Sequence, residues 1–283
     1  SATDKPLALG KLAEYLEDPD NSISIDDIKN AESGLIWQQL NTDTPNFAYT
    51  DSAYWLRIKL ANTSDQSIDR VFEIAYPVID YIDFYQVTSG NLVQTFLTGD
   101  KRPFSERPIG HRNFVFPISV QADSNSSIFI KVKSSSSLQI PISIASEREF
   151  FASDELDLIR MCVYYGMMVV MILFNLFLFF SLREAMYLYY VSFIFCFVAV
   201  QFCLHGMAGQ YIWPEKSYLQ DFWILVFVPS IVLFASLFAR HFLNLATHAP
   251  SANRFFKFMC WVAFAGIASA LVLDYEYSIK FSV

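Results

Sequence analysis

The sequence predicts an all-β jelly-roll or β-sandwich domain followed directly by an α-helical transmembrane bundle. Three observations lead to this prediction. Charge is concentrated in the first half of the chain, and short stretches of alternating apolar and polar residues follow one another through that half. The second half contains four apolar stretches, each near the length that crosses a bilayer. We therefore predict a β-sandwich domain over residues 1–155 and a membrane domain over residues 156–283.

The charge distribution separates the two halves. Residues 1–158 contain 13 Lys and Arg against 23 Asp and Glu, whereas residues 159–283 contain only 7 and 5, which together give the net charge of −8. A segment of 125 residues with so few charges cannot form an ordinary soluble surface. A large buried core would still need polar outer faces on its helices, and the second half lacks them. Membrane insertion explains this composition best.

Strand signals dominate the first half. Residues 22–28 predict a strand or turn entering a short helix, with Ser24 or Asp26 as its N-cap. Seven short segments rich in β-branched and aromatic residues follow, with turn signals every 8–12 residues or so. This spacing is typical of antiparallel sandwiches and jelly rolls and excludes a parallel nucleotide-binding fold. The predicted strands cover residues 54–60, 71–76, 79–87, 92–97, 114–120, 127–132 and 138–144.

The second half predicts four membrane spans and the start of a fifth. The spans cover residues 161–182, 185–204, 222–239 and 255–273, and a fifth would start near residue 280, so we expect the chain to stop inside its membrane domain. Basic residues flank the first and third connections but are scarce in residues 205–221, where Lys216 stands alone. The positive-inside rule then places the first and third connections in the cytoplasm. The basic residues that support this orientation are Arg183, Arg240, Arg254 and Lys257, with Arg160 as the exception.

This orientation predicts a multi-pass protein of the bacterial inner membrane with its N-terminal domain in the periplasm. Tyr211, Trp213 and Tyr218 fit an aromatic belt at the outer interface. The first three spans contain no acidic or basic residue at membrane depth, which argues against ion-coupled transport. Asn175 and Gln201 are polar groups at or near membrane depth, and they predict either a helix–helix hydrogen bond or a ligand path.

The sequence predicts no enzyme, cofactor, metal or nucleic-acid site in this segment. It contains no glycine-rich phosphate loop, no paired metal ligands and no nucleophile elbow. The four cysteines all fall in the apolar half without CxxC spacing, so we expect small packing residues there rather than disulfides or ligands. They are Cys162, Cys196, Cys203 and Cys260.

The densest polar stretch is the loop over residues 99–112, which we call the arginine loop. Its forked guanidinium groups could hold a carboxylate, phosphate or sugar, or the loop could be a solvated crossover with local ion pairs. Trp55, on an alternating strand, could be a sugar-stacking platform or a core residue. The candidate ligand-binding residues are therefore Trp55, Arg57, Asp100, Arg102, Arg107, His111 and Arg112.

Taken in order, several short motifs resemble a known family. In the first half they are residues 12–19, 23–28, 46–49, 54–57 and 76–77, with Asn62, Asp80, Tyr85, Gly99-Asp100, Pro103-Phe104, Arg107-Pro108 and Arg112. In the second half they are Tyr165-Gly166, residues 175–178, residues 187–190 and residues 209–214. Their order and spacing resemble the bacterial seven-transmembrane receptors with diverse intracellular signalling modules that carry the type 2 extracellular domain.

The resemblance implies a jelly-roll sensor similar to carbohydrate-binding modules. It also implies a seven-helix relay to a histidine kinase, diguanylate cyclase or phosphatase. Ala48 departs from the family pattern, which has glycine there, and only four of seven spans are present.

Two main functions fit these features of the sequence. The first is a signalling receptor whose outer domain binds a small ligand, a carbohydrate or a carboxylate, and biases the helices below it. The second is a membrane scaffold whose outer domain binds a periplasmic protein. A membrane enzyme or transporter with an accessory outer domain is a third, weaker alternative. By analogy with receptors, we expect a homodimer.

Overall fold

The computed structural model describes residues 6–30 and 34–272. The chain forms two compact units, Ser1–Leu156 with His205–Ser217, and Asp157–Leu204 with Tyr218–Val283. The first unit therefore contains one segment from the second half of the sequence, His205–Ser217, which we call the outer loop.

The first unit is a β-sandwich, which confirms the predicted fold class. One sheet has four strands in the order β1-β10-β5-β8, and the other has six in the order β3-β2-β4-β9-β6-β7. All pairings are antiparallel. The strands are β1 (Leu7–Ala8), β2 (Glu14–Asp18), β3 (Gln38–Gln39), β4 (Ala53–Asn62), β5 (Ile68–Ile74), β6 (Tyr81–Thr88), β7 (Asn91–Thr98), β8 (Phe114–Val120), β9 (Ser124–Lys133) and β10 (Ile142–Ala145).

The hydrophobic core lies between the two sheets. Alternate residues of β4, such as Leu56 and Ile58, point inward and are fully buried. Phe84 of β6 stacks on Phe116 of β8 with 4.4 Å between ring centroids, which joins the two sheets directly. The strands predicted from alternation correspond to β4–β10, whereas β1–β3 have only two to five residues and leave little room for a periodic pattern.

The structure settles two local questions raised by the sequence, the N-cap of the first helix and the turn at Ala48. Helix α1 (Ile25–Lys29) has Ser24 as its N-cap in a capping box with Asp27, so the choice between Ser24 and Asp26 is settled. Ala48 has a φ of 55°, the left-handed region that favours glycine. Its amide donates to Asn46 Oδ1 at 2.8 Å, which holds the turn despite the alanine.

The helices of the chain follow the sandwich. They are α2 (Glu147–Leu182), α3 (Ala185–Leu204), α4 (Met207–Tyr211), α5 (Tyr218–Phe242), α6 (Leu245–His248) and α7 (Pro250–Val272). Among the described residues, α2, α3 and α5 are long and apolar enough to cross a membrane. Helix α7 covers the fourth predicted span but is not one of these three over its described residues. The predicted fifth span near residue 280 lies outside the described residues.

In the second unit, α5 packs against both α3 and α7. Pro229 lies inside α5, and a Cβ on Gly266 of α7 would approach the Pro229 Cβ to 3.1 Å. The small residue at position 266 therefore allows a close approach of the two helices. Ser230 donates to the carbonyl oxygen of Val226 at 2.7 Å, a local hydrogen bond beside the proline.

Candidate functional site

A groove with mostly cationic walls lies on the outer face of the six-stranded sheet. In the antiparallel register of β6 and β9, Tyr81 is opposite Lys133 and Asp83 is opposite Lys131. Since alternate residues of a strand point to the same face, these four side chains project together, away from the core. The groove has a volume of about 310 Å³. Its lining, which defines the cationic groove, is Asn21, Tyr81, Asp83, Arg102, Lys131 and Lys133.

Arg102 is fixed at one wall of the cationic groove by the strands below it. Its Nη1 donates to Asp83 Oδ1 at 2.8 Å and to the carbonyl oxygens of Ile82 and Thr98 at 3.1 and 2.9 Å. The guanidinium carbon lies 5.5 Å from the ring centroid of Tyr81, within range of a cation–π contact. Tyr81 itself is 44% exposed, so the groove offers an aromatic surface beside a positioned cation.

The two lysines differ in how much of their charge is compensated. Lys131 Nζ pairs with Asp18 Oδ2 at 3.1 Å and donates to the carbonyl oxygen of Ile23 at 2.9 Å. Lys133 has no acidic partner within the part of the chain that the structure describes. With Arg102 paired to Asp83 and Lys131 paired to Asp18, Lys133 leaves the groove with one positive charge that no described acid compensates, which favours an anionic ligand.

Trp55 lies beneath the cationic groove and not on its surface. The side chain is 1% exposed, its ring stacks on Tyr85 at 5.9 Å, and Lys131 Nζ lies 5.4 Å from its ring centroid. A sugar cannot stack on a ring that is covered, so the core role is the one that the structure supports. Arg57 pairs with Glu14 at 2.6 Å and lies over Trp37, and it is not part of the groove lining.

Arg107, from the arginine loop, is half-buried and makes its contacts within the sandwich. Its guanidinium carbon lies 4.7 and 4.3 Å from the rings of Phe104 and Phe114. Its Nη1 donates to the carbonyl oxygens of His111 and Arg112 at 2.9 and 2.7 Å. Burial lowers the pKa of Arg107 to about 10. The side chain therefore organises the loop internally and is not presented to a ligand.

His111 and Arg112 meet the first turns of α2. Arg112 Nη2 lies 2.6 Å from Asp154 Oδ1, and His111 Nε2 lies 3.0 Å from the same oxygen. Burial by itself would raise the pKa of Asp154. The hydrogen bond and charge of His111, together with the charge of Arg112, outweigh this effect and hold the pKa of Asp154 below its usual value. Arg112 is 4% exposed, so this ion pair is a buried link between the arginine loop and α2.

Asp100 lies beside a second acidic residue, Asp80. The Oδ1 atom of Asp100 is buried, and no residue in the described ranges donates to that atom. Burial, together with the charge of nearby Asp80, raises the pKa of Asp100 to about 7. Asp80, in contrast, accepts hydrogen bonds from Ser134 and from the backbone and hydroxyl of Ser135.

The outer loop docks on the arginine loop within the first unit. The Phe104 amide donates to the Pro214 carbonyl oxygen at 2.7 Å, and Ser217 Oγ donates to the Lys101 carbonyl oxygen at 3.2 Å. Gly206, with a φ of 73°, lies so close to the sandwich that a Cβ would come within 2.7 Å of the Arg112 oxygen. The segment that joins α3 to α5 is therefore fastened to the same loop that reaches α2 through Arg112.

The two halves of the chain match two models of one receptor family. Residues 10–146 match the model described as 7TMR-DISM extracellular 2, and residues 158–283 match the model described as 7TM diverse intracellular signalling. The chain belongs to the 7TMR-DISM receptor family. This confirms the resemblance seen in the sequence motifs. The protein is thus a multi-pass transmembrane signalling receptor with an N-terminal extracellular sensor domain.

Other comparisons add little to the family assignment. None of the curated proteins matches this receptor. Among solved structures, the GH31 alpha-xylosidase from Xanthomonas citri matches with 12% identity and a TM-score of 0.26 over 50% of this chain and 16% of that chain. TmCBM61, solved in complex with beta-1,4-galactotriose, matches with 10% identity and a TM-score of 0.26 over 52% of this chain and 97% of that one. The receptor chain thus spans only about a sixth of the xylosidase.

The two polar residues of the receptor that were predicted at or near membrane depth, Asn175 and Gln201, lie on α2 and α3. Asn175 Nδ2 donates to the Met171 carbonyl oxygen at 2.9 Å, one turn earlier in its own helix. Gln201 is half-buried on α3. The Asn175 contact is thus within one helix, and no helix–helix hydrogen bond of Asn175 is seen among residues 6–30 and 34–272.

The structure separates the candidate residues that the sequence grouped in one loop. Only Arg102 lies in the cationic groove of the receptor, whereas Arg107, His111 and Arg112 belong to the attachment of the loop. Sequence reasoning missed the strand residues of the groove. Their signal was available, since polar residues at positions 81, 83, 131 and 133 alternate with apolar ones in β6 and β9.

Proposed function

We propose that the cationic groove binds a carboxylate-bearing carbohydrate and that the arginine loop and outer loop relay its binding to the membrane helices. The receptor would then sense an acidic sugar or an oligosaccharide that contains one. Its sensor domain would lie in the periplasm, above the inner membrane of a Gram-negative cell. The output would be a histidine kinase, diguanylate cyclase or phosphatase module, as the family resemblance implies.

The observation that supports this ligand class is an exposed aromatic ring beside three cations, of which Lys133 has no acidic partner among the described residues. Tyr81 offers an apolar face to a sugar ring, and the guanidinium of Arg102 fixes one edge of that face. Lys133 offers a charge that no described acid neutralises. A neutral sugar would use the ring only, whereas a carboxylate would also use Lys133 and Arg102.

The relay rests on the position of Arg102 in the arginine loop. A ligand that draws Arg102 away from Asp83 would displace the loop that holds the Pro214 and Ser217 contacts and the Arg112–Asp154 ion pair. Through these contacts the loop is connected to α2, and by chain continuity to α3 and α5. A ligand shifts the equilibrium between two receptor states only by its differential affinity for them.

A thermal-unfolding assay of the detergent-solubilised chain tests the ligand class. D-galacturonate should stabilise the receptor by about 2.7 kcal/mol at a concentration 100 times its dissociation constant, and D-galactose at the same concentration should do far less. Lys133→Ala should abolish the galacturonate effect without lowering the melting temperature of the free chain, since Lys133 has no described partner.

Lys59→Ala is the matched control, because Lys59 lies on the same sheet outside the groove lining. Equal stabilisation by galactose and galacturonate would refute the acidic-sugar proposal. An equal loss of binding in both lysine variants would refute the groove as the site.

The scaffold alternative has its best support at strand β7. This edge strand of the six-stranded sheet exposes Leu92, Val93 and Leu97, which are 43%, 56% and 47% exposed. Exposed apolar edge strands favour pairing with another chain, including a second copy of the receptor. Sedimentation of the detergent-solubilised chain and its Val93→Lys variant tests this. A dimer that the variant disrupts would support edge pairing, and a monomer in both would remove it.

A further inference from the structure

A cavity lies in the second unit, among the ends of α3, α5 and α7. It has a volume of about 500 Å³. Tyr189 contributes to it from the beginning of α3, and His241 contributes from the last turn of α5. Their rings meet edge-to-face with 6.2 Å between centroids, so the beginning of α3 and the end of α5 lie side by side. The lining, which defines the helix-end cavity, is Tyr189, Leu237, Arg240, His241, Asn244, Ala246 and Asn253.

The helix-end cavity lies at the depth where the acyl chains of a bilayer meet the headgroups. Helix α3 has 20 residues and is therefore about 30 Å long, the thickness of a hydrocarbon core. Tyr189 lies about 6 Å from its beginning, and His241 is the last residue but one of α5. The outer loop connects the other ends of these two helices. The cavity is therefore at the membrane boundary away from the outer loop.

Arg240 is the positioned cation of the helix-end cavity. The side chain is half-buried, and its Nε donates to Asn253 Oδ1 of α7 at 2.9 Å, a hydrogen bond between two helices that orients the guanidinium. No group among residues 6–30 and 34–272 accepts from its two Nη nitrogens, and no acid in those ranges pairs with it. A guanidinium offers forked N–H groups that match the oxygens of a phosphate, and those of Arg240 are available.

The other polar side chains of the lining add neutral hydrogen-bond donors. Because Asn253 uses its Oδ1 to accept from Arg240, its Nδ2 remains free to donate. His241 and Asn244 are exposed, and within the described part of the chain neither side chain makes a hydrogen bond. An imidazole and a carboxamide can each donate an N–H to an anion. The lining thus combines one oriented charge with several donors, which suits a group with several oxygens.

The sequence around the helix-end cavity has almost no acidic residue. Residues 222–272 contain neither Asp nor Glu, and the same is true of residues 185–204. Glu184 precedes α3 and does not line the cavity. The positive-inside rule accounts for an excess of basic residues at this end of the helices, but it does not require a guanidinium oriented in a cavity between them. Basic pockets between membrane helices at this depth are sites that bind the headgroups of anionic lipids.

We propose that the helix-end cavity binds the phosphate headgroup of an anionic phospholipid. The Arg240 guanidinium pairs with the phosphate oxygens, His241 and Asn253 donate further hydrogen bonds, and the acyl chains pass Leu237 into the bilayer. A free phosphate could use the same donors, but the depth of the cavity and its apolar Leu237 favour a lipid. Because the lining comes from α3, α5 and α7, the lipid links three helices at the end away from the outer loop. This site is independent of the acidic-sugar proposal.

Native mass spectrometry of the detergent-solubilised full chain tests the proposal, with dioleoylphosphatidylglycerol as the probe and dioleoylphosphatidylcholine as the zwitterionic control. One phosphatidylglycerol should bind per chain, and phosphatidylcholine should bind about tenfold more weakly, because its choline brings a second cation beside Arg240. Arg240→Gln should weaken phosphatidylglycerol binding about tenfold, the size of one charge-assisted hydrogen bond. His241→Ala should weaken it as well without lowering the melting temperature of the lipid-free chain, because the imidazole is exposed and makes no described hydrogen bond.

Arg254→Gln is the matched control, since Arg254 is an exposed arginine of α7 at the same end of the helices and outside the lining. Its phosphatidylglycerol binding should equal that of the unmodified chain. The proposal is overturned if phosphatidylcholine binds as tightly as phosphatidylglycerol, or if Arg254→Gln weakens binding as much as Arg240→Gln does. Inorganic phosphate in excess should not displace the lipid. Displacement would assign the cavity to free phosphate and would overturn the lipid proposal.

Discussion

Replacing Asp100 by asparagine should stabilise the sensor domain at high pH and have little effect at low pH. Burial and the charge of Asp80 raise the pKa of Asp100 from 3.8 to about 7. Between these values the folded state keeps a proton that the unfolded state releases, so stability falls as the pH rises through this window. A shift of about three units corresponds to about 4 kcal/mol, which is the ceiling for the effect of Asp100→Asn above pH 7.

The assay is thermal unfolding of the detergent-solubilised chain at pH 4 and pH 8, with the transition of the sensor domain followed by circular dichroism. The melting temperature of Asp100→Asn should equal that of the unmodified chain at pH 4 and exceed it at pH 8. The expected increase is roughly 2–4 °C for each kcal/mol of stabilisation. Asp80→Asn is the contrasting variant and should destabilise at both, because Asp80 accepts hydrogen bonds from Ser134 and Ser135. A gain for Asp100→Asn that is the same at both pH values would refute the argument from titration.

Three further variants address the junction between the sandwich and the membrane helices. Gly206→Ala should speed amide exchange at Phe104, because strain of roughly 1–3 kcal/mol and a clash with the sandwich would detach the outer loop. Arg107→Ala should lower the unfolding free energy by about 2–4 kcal/mol, measured by urea denaturation, since two carbonyl oxygens lose their donor. Asp154→Asn should cost about 3–5 kcal/mol in the same assay, because Arg112 is left buried and unpaired.

Controls separate these effects from general instability. Gly90→Ala imposes a similar backbone strain at a φ of 79°, but a Cβ there meets nothing within 4 Å, so exchange at Phe104 should not change. The contribution of Asp154 to the unfolding free energy should be present at neutral pH and be lost as the pH falls through the lowered pKa of its carboxyl group. The unfolding free energy of Asp154→Asn should therefore differ less from that of the unmodified chain at pH 3 than at pH 7. An equal difference at both pH values would contradict this.

Local sequence signals predicted most of the sandwich but little of the candidate site. Alternation in residues 54–60 identified β4, because Leu56 and Ile58 are buried between the sheets whereas Arg57 and Lys59 point to the other face. The same alternation placed polar side chains at positions 81, 83, 131 and 133, yet did not show that β6 and β9 are neighbours. The sequence therefore indicated the arginine loop as the candidate site, since charge density along the chain is visible in a sequence and register between strands is not.

By itself, the sequence determined that this receptor has a β-sandwich followed by helices long and apolar enough to span a membrane, and to which family the chain belongs. These properties depend on composition, periodicity and motif order, which are local along the chain. Only the tertiary structure decided that Trp55 is covered, that Arg107 and Arg112 hold the loop in place, and that the outer loop docks on the sandwich. Residues far apart in sequence make these contacts, for example Phe104 with Pro214. Their geometry depends on strand order and on how the loops pack.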